Sequence, residues 1–374
     1  MPHVVDGLLL GLLIVATTLW SVFTTLVVPR TTSSRTARAL FRRLAKVTGR
    51  VVRRLPTYEA KDRLMALIGP GGMMIQFVFW LAALTVGFGL MLWWSGKKTS
   101  LGHSILVSGS SVFTLGAFTS KFRASEALEV IAAATGFLVV ALEIAYLPSL
   151  YSAFSTRETE VTLLGIRGGA PAWGPEILAR HHWFRASSEL PALYSTWERW
   201  TAEMAESHTN FPQLMWFRSP VPWRSWLTAV AAMLDAAALQ DAVNPGSAPR
   251  QARLFLRMGM QMLRSMADAL HIDYDPDPLP TAPIRLTYDE YLVGIERLVQ
   301  VEFPFERTPE EAWPHFSGWR VNYESIIDAL AVSVMAPPTP WMLDRPWVGE
   351  ASFPVVYDRT PDDPEAQARS NPLL

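Results

Sequence analysis

Residues 103–119 read HSILVSGSSVFTLGAFT and lie between two long apolar runs. The stretch is too short and too rich in Ser and Gly for a lipid-facing helix, yet it is more apolar than an ordinary loop. Irregular backbone at membrane depth is tolerated only where protein or a water-filled cavity surrounds it. The stretch therefore predicts a re-entrant segment, with a short helix at 104–113 and extended backbone from Thr114 onward.

Three apolar runs are long enough to cross the hydrocarbon core, which takes about 20 residues. They are residues 7–28, 64–96 (centred on 73–94) and 130–151, the last interrupted only by Glu143. The first run follows a hexapeptide without Lys or Arg and precedes no small-residue cleavage site, which favours an anchor over a secretory signal peptide. We expect an all-α membrane protein with three transmembrane helices and one re-entrant loop.

The positive charges predict the orientation of these helices. Residues 30–63 contain eleven Lys or Arg and only two acidic residues, whereas the re-entrant side carries Lys97, Lys98, Lys121 and Arg123. Positively charged loops stay in the cytoplasm. We therefore expect a multi-pass protein of the cell membrane, with its N-terminus outside and its C-terminal region in the cytoplasm.

Apolar residues recur at helical spacing between 35 and 55, and arginines occupy the other face. This pattern is typical of an amphipathic helix among anionic lipid headgroups at the inner membrane surface. The alternative is a helix that packs on the cytoplasmic domain, its arginines acting only as topology signals.

The C-terminal region has the composition of a folded helical domain. Eleven of the fifteen Trp lie after residue 156, and helical periodicity appears at 189–207, 225–243, 250–271, 287–301 and 321–335. The apolar stretch 226–239 contains Asp235 and is too short to span, which predicts the interior of a bundle. The predicted divisions are a first transmembrane helix (1–29), a basic linker (30–71), a pore module (72–156), an all-α cytoplasmic domain (157–358) and a disordered tail (359–374).

Several classes of function find no support in the sequence. The chain has no Cys, which excludes disulfides and thiolate metal sites, and its net charge of −1 argues against nucleic acid as a partner. Asp273, Asp275 and Asp277 alternate like the start of a calcium loop, but the required Gly and Glu do not follow. His181 and His182 lack a third ligand at helical spacing. We expect no metal, no cofactor and no enzyme activity; a membrane enzyme would need a titratable cluster within 155–358.

The re-entrant segment has the chemistry of a cation pathway. The negative end of the short helix dipole would favour a cation, and rings of backbone carbonyls after it would replace the hydration shell of the ion. Thr114, Leu115 and Gly116 would supply these carbonyls. Each chain supplies one segment, so a closed ring needs several copies, and four is the usual number.

Residues 73–156 resemble the two-helix pore module of the potassium-channel superfamily. Similar potassium-channel-like proteins of actinobacteria carry the motifs SGSS-x-x-TLG and YLPSLY, which stand here at 108–116 and 146–151. The resemblance implies a homotetrameric channel that passes monovalent cations, potassium above all. The family filter reads Thr-Val-Gly-Tyr-Gly, whereas here Ala117 replaces the Tyr and Phe118 the second Gly. Phe does not adopt left-handed backbone as Gly does, so we expect the outer ion sites to be lost or reshaped.

The third apolar run contains three candidate pore-lining and gating residues. Gly136 lies mid-helix where the family has its hinge glycine, and Pro148 lies near the cytoplasmic end, where it can kink the helix. Glu143 shares a face with Gly136 and would form a carboxylate ring in the inner vestibule. The alternative is a Glu143 that is protonated or bonded to a neighbouring helix.

Two functions of different classes remain open on the sequence alone. The first is a cation channel. The second is a membrane-anchored sensor or scaffold on a degenerate channel fold, in which the re-entrant segment only packs against a sealed centre.

Overall fold

A computed structural model describes residues 2–28, 35–52, 54–95, 100–119 and 123–342. Within these ranges the secondary structure is helical, with no strand beyond one isolated bridge between Thr339 and Met342. The prediction of an all-α protein is thereby confirmed. The predicted disordered tail at 359–374 and Lys97, Lys98 and Lys121 lie outside the described residues.

Thirteen α-helices occur in the described ranges. They are α1 Pro2–Leu26, α2 Arg35–Val52, α3 Tyr58–Met65, α4 Ile68–Ser95, α5 Leu101–Val112, α6 Arg123–Gly168, α7 Gly174–Trp183, α8 Leu190–Asn210, α9 Trp226–Val243, α10 Arg250–Leu270, α11 Tyr288–Val299, α12 Pro309–Arg320 and α13 Glu324–Val334. Short 3-10 turns cover Ser187–Glu189 and Pro212–Trp216.

Four helical stretches are long and apolar enough to cross a membrane, namely Gly7–Leu26, Tyr58–Ser95, Ser125–Gly168 and Trp226–Val243. The first three overlap the three apolar runs at 7–28, 64–96 and 130–151. The fourth is α9, and every one of its 18 residues is buried inside the protein. A helix covered on all sides by protein has no surface for lipid, which agrees with its predicted place inside a bundle. The apolar helices are compatible with membrane insertion.

The chain divides into two compact units. Unit 1 comprises residues 1–48 and 67–153, and unit 2 comprises residues 49–66 and 154–374. The predicted basic linker 30–71 is divided between the units, with its residues 49–66 in unit 2 and the rest in unit 1. The helix α6 continues without interruption past residue 156, where the pore module was predicted to end.

In unit 1, α1 and α4 pack closely through glycine. A Cβ added to Gly11 would lie 2.6 Å from the carbonyl oxygen of Gly87, and a Cβ added to Gly87 would lie 2.8 Å from Val15 Cγ2. Small residues allow helix backbones to approach closely in membrane proteins. The Trp80 indole also donates a 3.2 Å hydrogen bond to the Ser21 hydroxyl, so apolar packing and one polar contact hold the pair.

The amphipathic helix α2 is anchored by an aromatic side chain. Phe41 is 5% exposed, and its ring occupies the space beside Gly72, where an added Cβ would lie 2.4 Å from Phe41 Cε1. Gly72 lies near the start of α4, within the uncharged run. The opposite face of α2 is exposed and carries Arg42, Arg43, Lys46, Val47, Arg50 and Val51.

Unit 2 is a helical bundle around α9, which packs against α7, α10, α12 and α13. Its interior contains a hydrogen-bonded ionic network. Arg320 donates to Asp235 (2.6 Å) and Glu324 (2.8 Å), and the Tyr323 hydroxyl donates to Asp235 (2.8 Å). Burial raises the pKa of Tyr323 well above its usual range, so the phenol stays a donor. The network offsets the cost of burying these charges.

Candidate pore segment

The helix α5 begins at a serine cap and ends inside unit 1. The Ser100 hydroxyl accepts a hydrogen bond from the backbone N–H of His103 (3.3 Å), as N-cap serines do. The helix then covers Leu101–Val112, against a prediction of 104–113. The predicted short helix is therefore present, displaced by three residues at its start and one at its end.

Serine and glycine hold α5 against α4. Ser108 is fully buried and donates a 2.8 Å hydrogen bond to the carbonyl oxygen of Thr85. A Cβ added to Gly89 would lie 3.0 Å from Ile105 Cγ1. The Ser and Gly residues that argue against a lipid-facing helix are therefore the residues at which α5 and α4 approach each other closely.

The C-terminal end of α5 meets α6 at Gly136. A Cβ added to Gly136 would lie 2.1 Å from the carbonyl oxygen of Val112 and 3.0 Å from Val112 Cα. Any side chain at this position would collide with backbone. The structure therefore shows a packing requirement for Gly136, separate from the predicted hinge role.

The backbone after α5 turns in the left-handed region. Thr114 has φ +53° and Gly116 has φ +64°, whereas Ala117 and Phe118 have no positive φ. The N–H of Leu115 donates to the carbonyl of Ser110 and that of Thr114 to Ser111, both at 2.8 Å. These two bonds form a Schellman cap. The expectation of extended backbone from Thr114 onward is wrong at Thr114, because closing this cap requires a left-handed residue there, and at Gly116, whose φ is also positive.

The carbonyl oxygens of this turn have no donor among the described residues. No hydrogen bond to a carbonyl oxygen of residues 113–118 is present within the described ranges. All residues from 113 to 119 are exposed in the single chain, and the Leu115 side chain is 70% exposed. These exposed oxygens are free to accept hydrogen bonds or ions from outside the described part of the chain.

Ser110 fixes both ends of this turn. Its carbonyl accepts the Leu115 N–H at 2.8 Å, and its hydroxyl accepts the Phe118 N–H at 3.0 Å. Ser110 itself is 4% exposed. One buried residue of α5 therefore determines the path of the chain from Thr114 to Phe118.

The other candidate residues lie on α6. The buried stripe of α6 is Ala132, Gly136, Val139, Tyr146 and Leu150. Glu143 falls on the same stripe, is half-buried, and lies about 10 Å along the helix from Gly136. No hydrogen bond or ion pair to its carboxylate occurs in the described part of the chain. Pro148 is exposed, and α6 continues through it as one helix.

The sequence reasoning missed three residues that build the site, namely Thr85, Ser108 and Ser110. The serine cluster at 108–111 was the available signal, since buried hydroxyls need carbonyl or amide partners. In these ranges no group of three or more His, Asp or Glu is placed to hold a metal ion. No family model matches the sequence, no curated protein matches it, and no solved structure matches the fold.

Proposed function

We propose that the protein is a cation channel, assembled as a homotetramer, in which Thr114, Leu115, Gly116, Ala117 and Phe118 form the constriction. The observation that carries this proposal is the row of carbonyl oxygens at residues 113–118, which accept no hydrogen bond from the described residues and are exposed in the single chain, next to the apolar helices α4 and α6. Several copies around one axis would turn this row into a ring that replaces the hydration shell of a cation.

Transport in this proposal is passive, down an electrochemical gradient. The left-handed conformations at Thr114 and Gly116 support inner ion sites, because alternating φ changes the direction of successive carbonyls. Phe118 stands where the family has a second Gly and has no positive φ, which favours altered outer sites and reduced discrimination for potassium. Glu143 is proposed as the vestibule charge, and the part of α6 with Gly136 and Pro148 as the moving gate.

The surface of α2 favours contact with anionic lipids. Its exposed face combines four basic residues with Val47 and Val51, and the helix contains no acidic residue. The Phe41 contact with Gly72 holds this face near one end of the apolar run of α4. We propose that α2 binds anionic membrane lipids. By the positive-inside rule, we also propose that the C-terminal unit is in the cytoplasm.

Thallium flux into proteoliposomes tests the proposal. Gly116→Val and Gly102→Val form a matched pair, because an added Cβ meets no atom within 4 Å at either site. Only Gly116 has a positive φ, where a β-branched residue is strongly disfavoured. We expect flux from the wild type and from Gly102→Val, and loss of flux from Gly116→Val.

A membrane-anchored scaffold is the alternative. It predicts no flux above empty liposomes from any of the three proteins. It also predicts that Gly116→Val leaves binding of cytoplasmic partners unchanged.

A further inference from the structure

Residues 214–218, here called the coupling segment, bind a buried arginine of α6. The carbonyl oxygens of Leu214 and Phe217 each accept a 2.8 Å hydrogen bond from the Arg157 guanidinium. Arg157 is 1% exposed, and its Nε donates to Glu158 at 2.9 Å. Each nitrogen of the guanidinium thus has an acceptor in the protein, which fixes this part of α6 to the coupling segment.

The last residue of the coupling segment binds α3. Arg218 forms an ion pair with Asp62 and donates to the Tyr58 hydroxyl at 2.6 Å. It also donates to the carbonyl oxygen of Met335, at the end of α13, at 2.9 Å. Its side chain is 10% exposed. One residue therefore joins α3 to the end of α13.

Both bound helices continue in the chain toward the proposed pore. The helix α3 ends at Met65 and α4 begins at Ile68, so two residues separate them. The helix α6 carries both Arg157 and Gly136. The helices α4 and α6 flank the proposed re-entrant loop in the chain. The coupling segment thus binds α3, which directly precedes α4, and also binds α6.

The hydrogen-bond geometry makes this connection specific to arginine. The planar guanidinium presents five donors in a fixed arrangement, which the single ammonium of lysine does not reproduce. Arg157 satisfies two carbonyls and a carboxylate at once, and Arg218 a carboxylate, a hydroxyl and a carbonyl. Removing either side chain leaves buried acceptors unpaired, so the contacts are lost together.

We propose that the coupling segment transmits rearrangements of the cytoplasmic helices to the gate, with Arg157 and Arg218 as positioning residues. This inference rests on the proposed channel function. The inputs are α13, through the carbonyl of Met335, and α8, through His208, whose Nε2 lies 3.3 Å from an Arg157 nitrogen. Because Arg157 and Arg218 share the coupling segment, we expect a displacement of α13 or α8 to change the contacts of that segment with both α3 and α6.

Single-channel recording of the full chain in planar bilayers tests whether the coupling segment controls the gate. Arg218→Gln is expected to change the open probability by at least about tenfold, because the loss of even one hydrogen bond from a charged group corresponds to a change of that size. Unitary conductance and reversal potential stay unchanged, because the constriction is untouched. Asp62→Asn acts on the same contact, so the double variant shows less than the product of the single effects. Arg218→Lys is expected to change the open probability in the same direction as Arg218→Gln, but by less.

The matched control is Arg253→Gln. Arg253 forms an ion pair with Asp241 at 2.7 Å in the same unit, but its side chain is 55% exposed. We expect Arg253→Gln to leave the open probability unchanged. An unchanged open probability in Arg218→Gln, or a change in conductance with no change in gating, overturns the coupling role.

Hydrogen exchange separates this inference from the channel proposal. In Arg218→Gln, coupling predicts faster exchange in α3 and also in residues 149–168 of α6, which Arg218 itself does not bind. A purely local role accelerates exchange in α3 alone and overturns the inference. If the wild type passes no current but Arg218→Gln exchanges faster in both α3 and α6, the channel proposal is refuted and the coupling between the two helices stands.

Discussion

Replacing Ser110 with alanine removes one contact that holds the proposed constriction. The Ser110 hydroxyl is the acceptor for the Phe118 N–H at 3.0 Å. The substitution keeps the Ser110 carbonyl, so the 2.8 Å bond from the Leu115 N–H and the helix cap remain. The change therefore acts on the outer end of the turn and not on α5.

The expected size follows from the lost hydrogen bond. An intramolecular hydrogen bond contributes about 1 kcal/mol, which corresponds to about a fivefold change in the equilibrium between the held and the released turn. Because Ser110 is 4% exposed, water replaces the lost hydroxyl poorly. We expect the Phe118 amide to exchange with solvent about fivefold faster.

Hydrogen exchange with mass spectrometry on peptides covering residues 113–119 measures this change. Ser111→Ala is the matched control, because the Ser111 hydroxyl donates to the carbonyl of Val107 within α5 at 3.1 Å. Ser110→Thr retains the hydroxyl and keeps the wild-type rate. Equal acceleration in Ser110→Ala and Ser111→Ala would refute the positioning role of Ser110.

Three further predictions concern stability. Gly136→Ala collides with the Val112 carbonyl and lowers the free energy of unfolding by about 1–3 kcal/mol, whereas Gly102→Ala, with nothing within 4 Å, does not; chemical denaturation compares them. Arg320→Met leaves two buried carboxylates, Asp235 and Glu324, without their cation and costs about 3–5 kcal/mol, seen as a lower melting temperature. Burial and a nearby arginine hold the pKa of His208 well below its usual value, so the unfolded chain binds the proton first. Stability then falls as the pH drops below about 6.5, by up to about 1.4 kcal/mol per pH unit, and His208→Gln reduces this slope in thermal unfolding.

Helices with strong periodicity or clear caps were predictable from the sequence. The capping box at Thr287 and Glu290 is present, and α11 begins next to it. Helices α8, α9, α10 and α13 also fall within a few residues of the predicted bounds. Their apolar spacing is local information, which one sequence contains.

Helices α3, α7 and α12 were not predicted. The first two have eight and ten residues, too few for a clear period. The third has a capping box at Thr308 and Glu311, but Pro314 lies inside it and masks the helical pattern. Short helices of this kind are stabilised by tertiary packing more than by their own sequence.

The contacts that define the candidate site depend on tertiary structure. The sequence indicated the short helix before Thr114, but not the turn at Thr114, because a threonine with positive φ is unusual. Arg157 and its carbonyl acceptors lie 57 and 60 residues apart in the chain. No spacing rule connects residues at such separations, so the coupling segment becomes visible only in the fold.

Anomalous diffraction from thallium-soaked crystals of the assembled protein tests whether cations bind at the turn after α5. A channel is expected to show thallium density on a symmetry axis, in contact with the backbone oxygens of Thr114 and Leu115 from each copy. Protein donors on those oxygens, or a turn far from any axis and in bulk water, would contradict the channel proposal.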